Sequence, residues 1–475
     1  MTIRTIIVAA ITSLCFTGSG LGQVTAMFTN SGQALGNNDS FSVALGDLDG
    51  DGHLDAVVAN SGGLPNTVWT NDGTGTFTDS GQALGTHIAS SSVALGDLNG
   101  DGHLDAWIAN AGANAVWTND GSGTFTDSGQ ALADNQSRSV ALGDIDGDGD
   151  LDAVVANQYS ASIVWTNDGN GIFTNSGQTL GNSYSMSVAL GDLDGDGHLD
   201  AWVANLGQPN TVWTNNGNGT FTNSGQALGN SESMSVALGD LDGDGHLDAM
   251  VANDNDVTNG APNTVWTNNG NGIFTNSGQA LGNSRSWSVA LGDFNGDGHL
   301  DAMAGNLGSG GGVGAPNTVW TNDGNGTFTN SGQALGNSYS KSVALGDLDG
   351  DGHLDAMVGN DGANTVWINV IQGACCVEGV CLQLQADFCA STGGSYLGGN
   401  CSDTTCAETT ATGACCASGG CSIVTEDQCT GFGGTWTEGG ACADCPASCP
   451  ADTNGDGVVD IHDLLAVIDT WGACP

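Results

Sequence analysis

The chain has 475 residues, 79 of them glycine, and sets 52 Asp+Glu against 4 Lys+Arg, for a formal net charge of −48. That length allows one large domain and several small ones. A chain so poor in Lys and Arg lacks the basic patches that nucleic acid or an anionic membrane requires, which excludes both as partners.

Residues 1–22 read as a secretory signal peptide. Arg4 supplies the basic start, residues 6–16 the apolar core, and small residues lead to a cut near Gly22-Gln23. That core is too short to span a bilayer, and no later stretch is long and apolar enough. The mature chain is therefore expected to be secreted or displayed at the cell surface, without a transmembrane helix.

Residues 23–371 are a repeat array. One acidic loop, first seen as Asp47-Leu48-Asp49-Gly50-Asp51-Gly52-His53-Leu54-Asp55, recurs from Asp97, Asp144, Asp192, Asp240, Asp293 and Asp347, at steps of 50, 47, 48, 48, 53 and 54 residues. A fixed motif at that period marks a repeat architecture in which each copy is one supersecondary unit. Within one period, residues 77–82, 92–97, 104–109 and 115–119 read as short strands, with a Gly turn at 120–123. Four strands with their turns make one propeller blade. Seven Phe-Thr-(Asn/Asp)-Ser-Gly-Gln strands, starting with Phe28, accompany seven acidic loops and seven Trp strands, ending with Trp367. The array enters at a Phe strand and leaves at a Trp strand, so pairing the two closes a ring and removes its open edges. The fold class expected is all-β, a seven-bladed propeller sealed by its N-terminal strand. Residues 254–261 and 307–315 lengthen two blades as Gly/Asn-rich loops, where binding often resides.

The cysteines sit elsewhere. Apart from Cys15 in the leader, all 14 fall between Cys375 and Cys474, the pattern of disulfides in an oxidising compartment. Residues 372–407 and 408–446 form two modules, opening with Gly-Ala-Cys-Cys at Cys375-Cys376 and Cys415-Cys416. Six cysteines each leave the connectivity open. Residues 447–475 carry a 12-residue calcium loop with Asp452, Asn454, Asp456, Val458, Asp460 and Asp463 at its ligand positions, then a short helix, expected over 463–471. Cys449 and Cys474 are placed to staple that unit.

The acidic loops carry the chemistry. Positions 1, 3, 5, 7 and 9 are Asp47, Asp49, Asp51, His53 and Asp55 in the first copy, and Asp97, Asn99, Asp101, His103 and Asp105 in the second. They are Asp144, Asp146, Asp148, Asp150 and Asp152 in the third, then Asp192, Asp194, Asp196, His198 and Asp200 in the fourth. Asp240, Asp242, Asp244, His246 and Asp248 follow, then Asp293, Asn295, Asp297, His299 and Asp301, then Asp347, Asp349, Asp351, His353 and Asp355. Carboxylates at alternate positions of a tight loop converge on one point, as Ca2+ requires of its oxygen ligands. Glycines at positions 4 and 6 let the backbone curl. Position 7 is expected to offer only its carbonyl, which leaves the six loop histidines as exposed side chains. Asn99 and Asn295 lower the charge of two sites, which should bind more weakly. Of the 52 acids, 27 lie in these loops and 4 in the tail loop, so bound cations would cancel much of the charge. The seven Val-Trp strands read as inter-blade core, with sugar stacking as the alternative. No nucleophile–base pair stands out, so the chain reads as a non-enzyme.

The acidic loop beside Val-Ala-Leu-Gly-Asp resembles the FG-GAP repeat of integrin α-subunit propellers, and residues 69–77 look like the companion segment of VCBS-type bacterial repeats. The resemblance spans about residues 26–370 and implies a calcium-stabilised propeller for adhesion or ligand binding. The tail is similar to one half of a dockerin, which implies an attachment role. Ile461 and His462 stand where that family often has Ser/Thr, which puts ordinary cohesin binding in doubt. The function expected is a calcium-binding surface propeller for a glycan or an extracellular protein. A polysaccharide lyase and a structural surface-layer component are the alternatives, since one fold serves many functions.

Overall fold

A computed structural model describes residues 28–85, 89–133, 135–254, 260–308 and 314–370, and the backbone of six further strands between 373 and 438. The leader 1–22, the calcium loop and helix of 447–475, the interior of both blade insertions and the cysteine side chains lie outside the described residues. The chain divides into two units, Met1–Gln372 and Gly373–Pro475.

The first unit is seven antiparallel four-stranded sheets, and every described regular element in it is a strand. In blade one the strands are Ser40–Gly46, Asp55–Asn60, Asn66–Asn71 and Phe77–Leu84, paired in chain order. The expected strands of blade two appear as Ser90–Gly96, Asp105–Asn110 and Ala115–Asn119. The first two extend to Ser90 and Asn110, because these residues face each other across the ladder and the Ser90 hydroxyl donates to Asn110 Oδ1 at 2.8 Å.

Burial follows position in the blade. The second strand, Asp-Ala-Val-Val-Ala-Asn in blade one, is buried at every residue, because neighbouring blades cover both faces. Small and β-branched side chains suit that site. The first strands pack against one another around the axis, with the seventh meeting the first. Serine hydroxyls stitch them: Val43 N–H donates to Ser342 Oγ, and Val343 N–H to Ser288 Oγ, each at 3.1 Å.

The hydrophobic core is divided among the seams. Leu48, Val57, Val68 and Leu84 of blade one meet Val93, Ile108 and Phe125 of blade two, and each of the other six seams repeats the arrangement. Burying one such side chain contributes roughly 1.5–3 kcal/mol, so the blades are held by their neighbours. The Trp stripe belongs to these clusters. Trp69, Trp165, Trp266, Trp320 and Trp367 are buried in them, and Trp117 and Trp213 pack half-buried against them.

Ring closure is as expected. Blade seven supplies Ser340–Gly346, Asp355–Asn360 and Thr365–Asn369, and its outer strand is Phe28–Asn30, with Phe28 opposite Asn369 and Asn30 opposite Trp367. Phe28 packs edge-on against Phe294 of blade six, ring centres 5.3 Å apart.

The second unit repeats a smaller pattern. Gly373–Val377 pairs with Val380–Leu384 on one side and Ser395–Gly398 on the other; Thr412–Ala417 does the same with Gly420–Thr425 and Thr435–Glu438. The two Gly-Ala-Cys-Cys modules thus have one backbone design. Among the described residues, no helix is long and apolar enough to cross a membrane.

Candidate metal centre

Each acidic loop joins the end of a blade's first strand to the start of its second, so all seven lie at one end of the propeller. In the first loop Gly50 and Gly52 take φ of +79° and +89°, which L side chains rarely adopt. That curl turns backbone N–H groups onto the carboxylates. Asp47 Oδ1 accepts from Gly50 N–H (2.7 Å) and its Oδ2 from Gly52 N–H (3.0 Å), while Asp51 Oδ1 accepts from His53 N–H (2.9 Å).

The loops bring acids together. Asp47, Asp49 and Asp55 place carboxylate oxygens within 4.8 Å of one another, as do Asp144, Asp146 and Asp152; Asp192, Asp194 and Asp200; Asp240, Asp242 and Asp248; and Asp347, Asp349 and Asp351. Among the described residues, the loops without such an acidic triplet carry Asn99 and Asn295 at position 3. Burial, then repulsion from the acid two residues on, raises Asp146, Asp194, Asp242 and Asp349 above the ordinary carboxylate range. Asp146 Oδ1 and Asp194 Oδ1 are buried without a hydrogen-bond partner. Such oxygens, converging and all hard donors, fit a divalent cation of the calcium type, which would satisfy them and relieve the repulsion.

Position 9 does a second job. Asp55 is wholly buried, with Oδ2 accepting from Leu48 N–H (3.0 Å) in its own loop and Oδ1 from Asn71 N–H (2.8 Å) on the third strand. All seven blades repeat this clamp. Burial pushes its carboxyl up, to about 6 at Asp152, Asp200, Asp248 and Asp301 and about 7 at Asp355.

Five of the six loop histidines, exposed as expected, also cover a glycine of their own blade. The His53 imidazole lies over Gly73 of the same blade, where a Cβ would collide with the ring. His103, His198, His246 and His299 cover Gly121, Gly217, Gly270 and Gly324 in the same way, and Asp150 covers Gly169.

Two recurring positions that the sequence reading did not single out tie each blade to the next, an Asn through the acidic loop and a Gln through the Gly turn. Asn119, closing the third strand of blade two, donates from Nδ2 to Leu104 O (3.2 Å) in its own blade and to Leu48 O (2.8 Å) in the loop of blade one. Asn71 does the same to Leu54 O (3.1 Å) and Leu348 O (2.9 Å) across the closing seam. Gln82 of blade one donates to Gly123 O of blade two and accepts from Phe125 N–H at 2.9 Å. Gln33 and Gln333 continue that link through the closing strand, accepting from Phe77 N–H (2.8 Å) and from Phe28 N–H (3.1 Å) respectively. Their signal in the sequence was recurrence: an Asn ends every Trp strand and a Gln every Phe strand. The acidic loop is therefore part of the seam between blades.

Comparison with known proteins agrees with this architecture. The profile of the FG-GAP-like repeat matches residues 47–108, 97–155, 144–203, 192–251, 240–304 and 307–358, five of the six beginning on the first aspartate of an acidic loop. No curated protein matches the chain. Among solved structures, one of BBS1N in complex with ARL6DN is similar at TM-score 0.50 and 11% identity, covering 73% of this chain and 98% of that one. A second structure of that complex gives TM-score 0.49 at 10% identity, with the same coverage. A structure described as recognition of non-reducing terminal N-acetylglucosamine by an Agrocybe aegerita lectin gives TM-score 0.43 at 21% identity, covering 70% and 87%.

Proposed function

This chain belongs to the FG-GAP-like repeat family, and on that premise we propose that it is a calcium-stabilised binding module, secreted or displayed at the cell surface, for a glycan or protein partner. The observation that carries the reading is the carboxylate loop repeated at every seam and tied to the following blade. A cation held there braces two blades at once. The loop acids act as scaffold: their oxygens are engaged by backbone N–H groups or converge on the cation position, and the chain is non-catalytic. The dockerin-like tail, 447–475, attaches the propeller to its surface.

Calorimetric titration of chelator-stripped protein tests the cation. About one Ca2+ per acidic loop should be taken up, with weaker binding at the loops of Asn99 and Asn295. Chelation should lower the melting temperature, since a ligand that binds only the folded form stabilises it. No heat of binding together with unchanged melting sinks the calcium reading. Glycan-array and pull-down screens with the calcium-loaded protein test the partner.

A further inference from the structure

The two ends of the propeller differ in kind. The acidic-loop end keeps one design in every blade, varied only at single positions such as Asn99, Asp150 and Asn295. At the other end, where first strands begin and second strands finish, the copies diverge. Every first strand reads Ser-x-Ser-Val-Ala-Leu-Gly, yet x is Phe41, Ser91 and Arg138 in the first three blades, methionine in the next two, then Trp287 and Lys341. The residue before the first serine varies as widely, from Asp39 to Gln136 to Arg285. Of the chain's 4 Lys+Arg, every one but Arg4 falls in these two positions. Uniform copies that diverge at one level around the axis carry their individuality there.

Two of these cations have anionic partners. Lys341 pairs with Asp39 and sits 4.0 Å over the Phe41 ring, and Arg285 pairs with Asp254 at 2.7 Å. Arg138 differs. Its Nε donates to the neutral Gln158 Oε1 at 2.8 Å, as does Nη2, and among the described residues no carboxylate pairs with it. Burial pulls this guanidinium below its ordinary pKa. Arg138 lines a cavity of about 180 Å3 with Phe41, Ser61, Ser91 and Gln136, drawn from the first three blades. Phe41 is held in place edge-on to Trp287, ring centres 6.1 Å apart. A half-buried guanidinium without an anion, beside hydroxyls and one fixed aromatic face, has the chemistry of an acidic sugar site. Guanidinium matches carboxylate bidentately, and hydroxyls and a ring face suit a polyhydroxy ring. Ligand pockets usually span about 300–1,000 Å3, so this smaller cavity takes one ring.

We propose that this cavity binds a uronic acid residue of an acidic saccharide, its carboxylate on Arg138, its hydroxyls on Ser61 and Ser91, and its ring against Phe41. The inference rests on the binding-module reading and names the ligand class and the end of the propeller.

The test is calorimetric titration of the calcium-loaded full chain with trigalacturonate, galactotriose and an oligoglutamate peptide. Trigalacturonate should bind saturably and the neutral trisaccharide at least about tenfold more weakly. Arg138→Gln should weaken trigalacturonate about tenfold, the scale of one charged bidentate contact, with melting temperature and calcium uptake unchanged. Absence of trigalacturonate binding overturns the proposal. So does equal binding by Arg138→Gln, which would place the uronate on the calcium loops, or tighter binding of the peptide. A neutral glycan found on the array and indifferent to Arg138→Gln sinks this proposal and leaves the binding module standing. If neither glycan nor protein binds in any screen, the binding module falls as well.

Discussion

Loop aspartates that look alike in sequence are not alike in role. Asp200 at position 9 is wholly buried and takes N–H groups from Leu193 (3.0 Å) and Asn215 (2.7 Å); Asp196 at position 5 lies exposed and accepts from His198 N–H (2.9 Å). Asp200→Ala leaves two buried donors unpaired, each worth about 1–3 kcal/mol. It should lower stability in urea melts with or without calcium. Asp196→Ala should lower it only in calcium; equal losses in chelator would show that the two positions are not distinct. Position 9 also sets a pH dependence. Its folded pKa of about 6 at Asp200 and about 7 at Asp355 lies above the ordinary 3.8, chiefly through burial. A raised pKa contributes stability that is present at low pH and lost as pH rises through the folded value. Chelator-stripped protein should therefore melt higher at pH 5 than at pH 7.5. Calcium favours the ionised form and should reverse that order, because protons compete with the metal. A chelated protein that melts higher at pH 7.5 would contradict this account.

At the scale of the strand, closure rests on a short strand contributed from far away in sequence, extended by Ser31 N–H donating to Val366 O (3.0 Å) and by Leu35 and Asn364 exchanging N–H bonds (2.9 and 3.0 Å). Phe28–Asn30 covers the outer edge of Thr365–Asn369, and Phe28 is 7% exposed at the seam with blade six. Phe28→Ala should cost about 3–5 kcal/mol and free the strand, exposing an edge that pairs with other chains. The expected result is a lower melting temperature and a dimer or aggregate by size-exclusion chromatography; a monomer with unchanged melting would count against closure as the weak link. Gln82→Ala and Asn119→Ala act on the interior seam between blades one and two and should destabilise without exposing an edge. The closure was legible because a Phe strand and a Trp strand were left over at opposite ends of the array. The Gln and Asn ties were not, because a residue that recurs in every copy gives no sign of whether it serves its own blade or the next. The role of His53 was hidden similarly: the glycine it covers lies 20 residues on in the sequence. The Arg138 cavity was obscured by the uniformity that revealed the fold, since seven shared Ser-x-Ser strands draw attention away from the residue between the serines.

Across the propeller, geometry separates the loop acids from the cations. The 27 loop acids gather at one end, while Arg138, Arg285 and Lys341 stand at the other. Like charge crowded on a folded surface opposes compaction, so the stripped propeller should be held back by its own acidic end. Salt screens exposed charges: the Debye length falls from about 10 Å at 0.1 M to about 3 Å at 1 M. In chelator, the melting temperature should therefore rise steadily as NaCl goes from about 0.1 to about 1 M. In saturating calcium, ions held in the loops as proposed would neutralise the acids in place, and the same series should be nearly flat. Magnesium should leave most of the salt dependence intact, because it keeps its waters and prefers fewer protein ligands. Parallel salt curves in chelator and calcium would mean that the loops do not carry the repulsion. The bracing role of the cation at the seams would then lose its physical basis, even with the propeller itself intact.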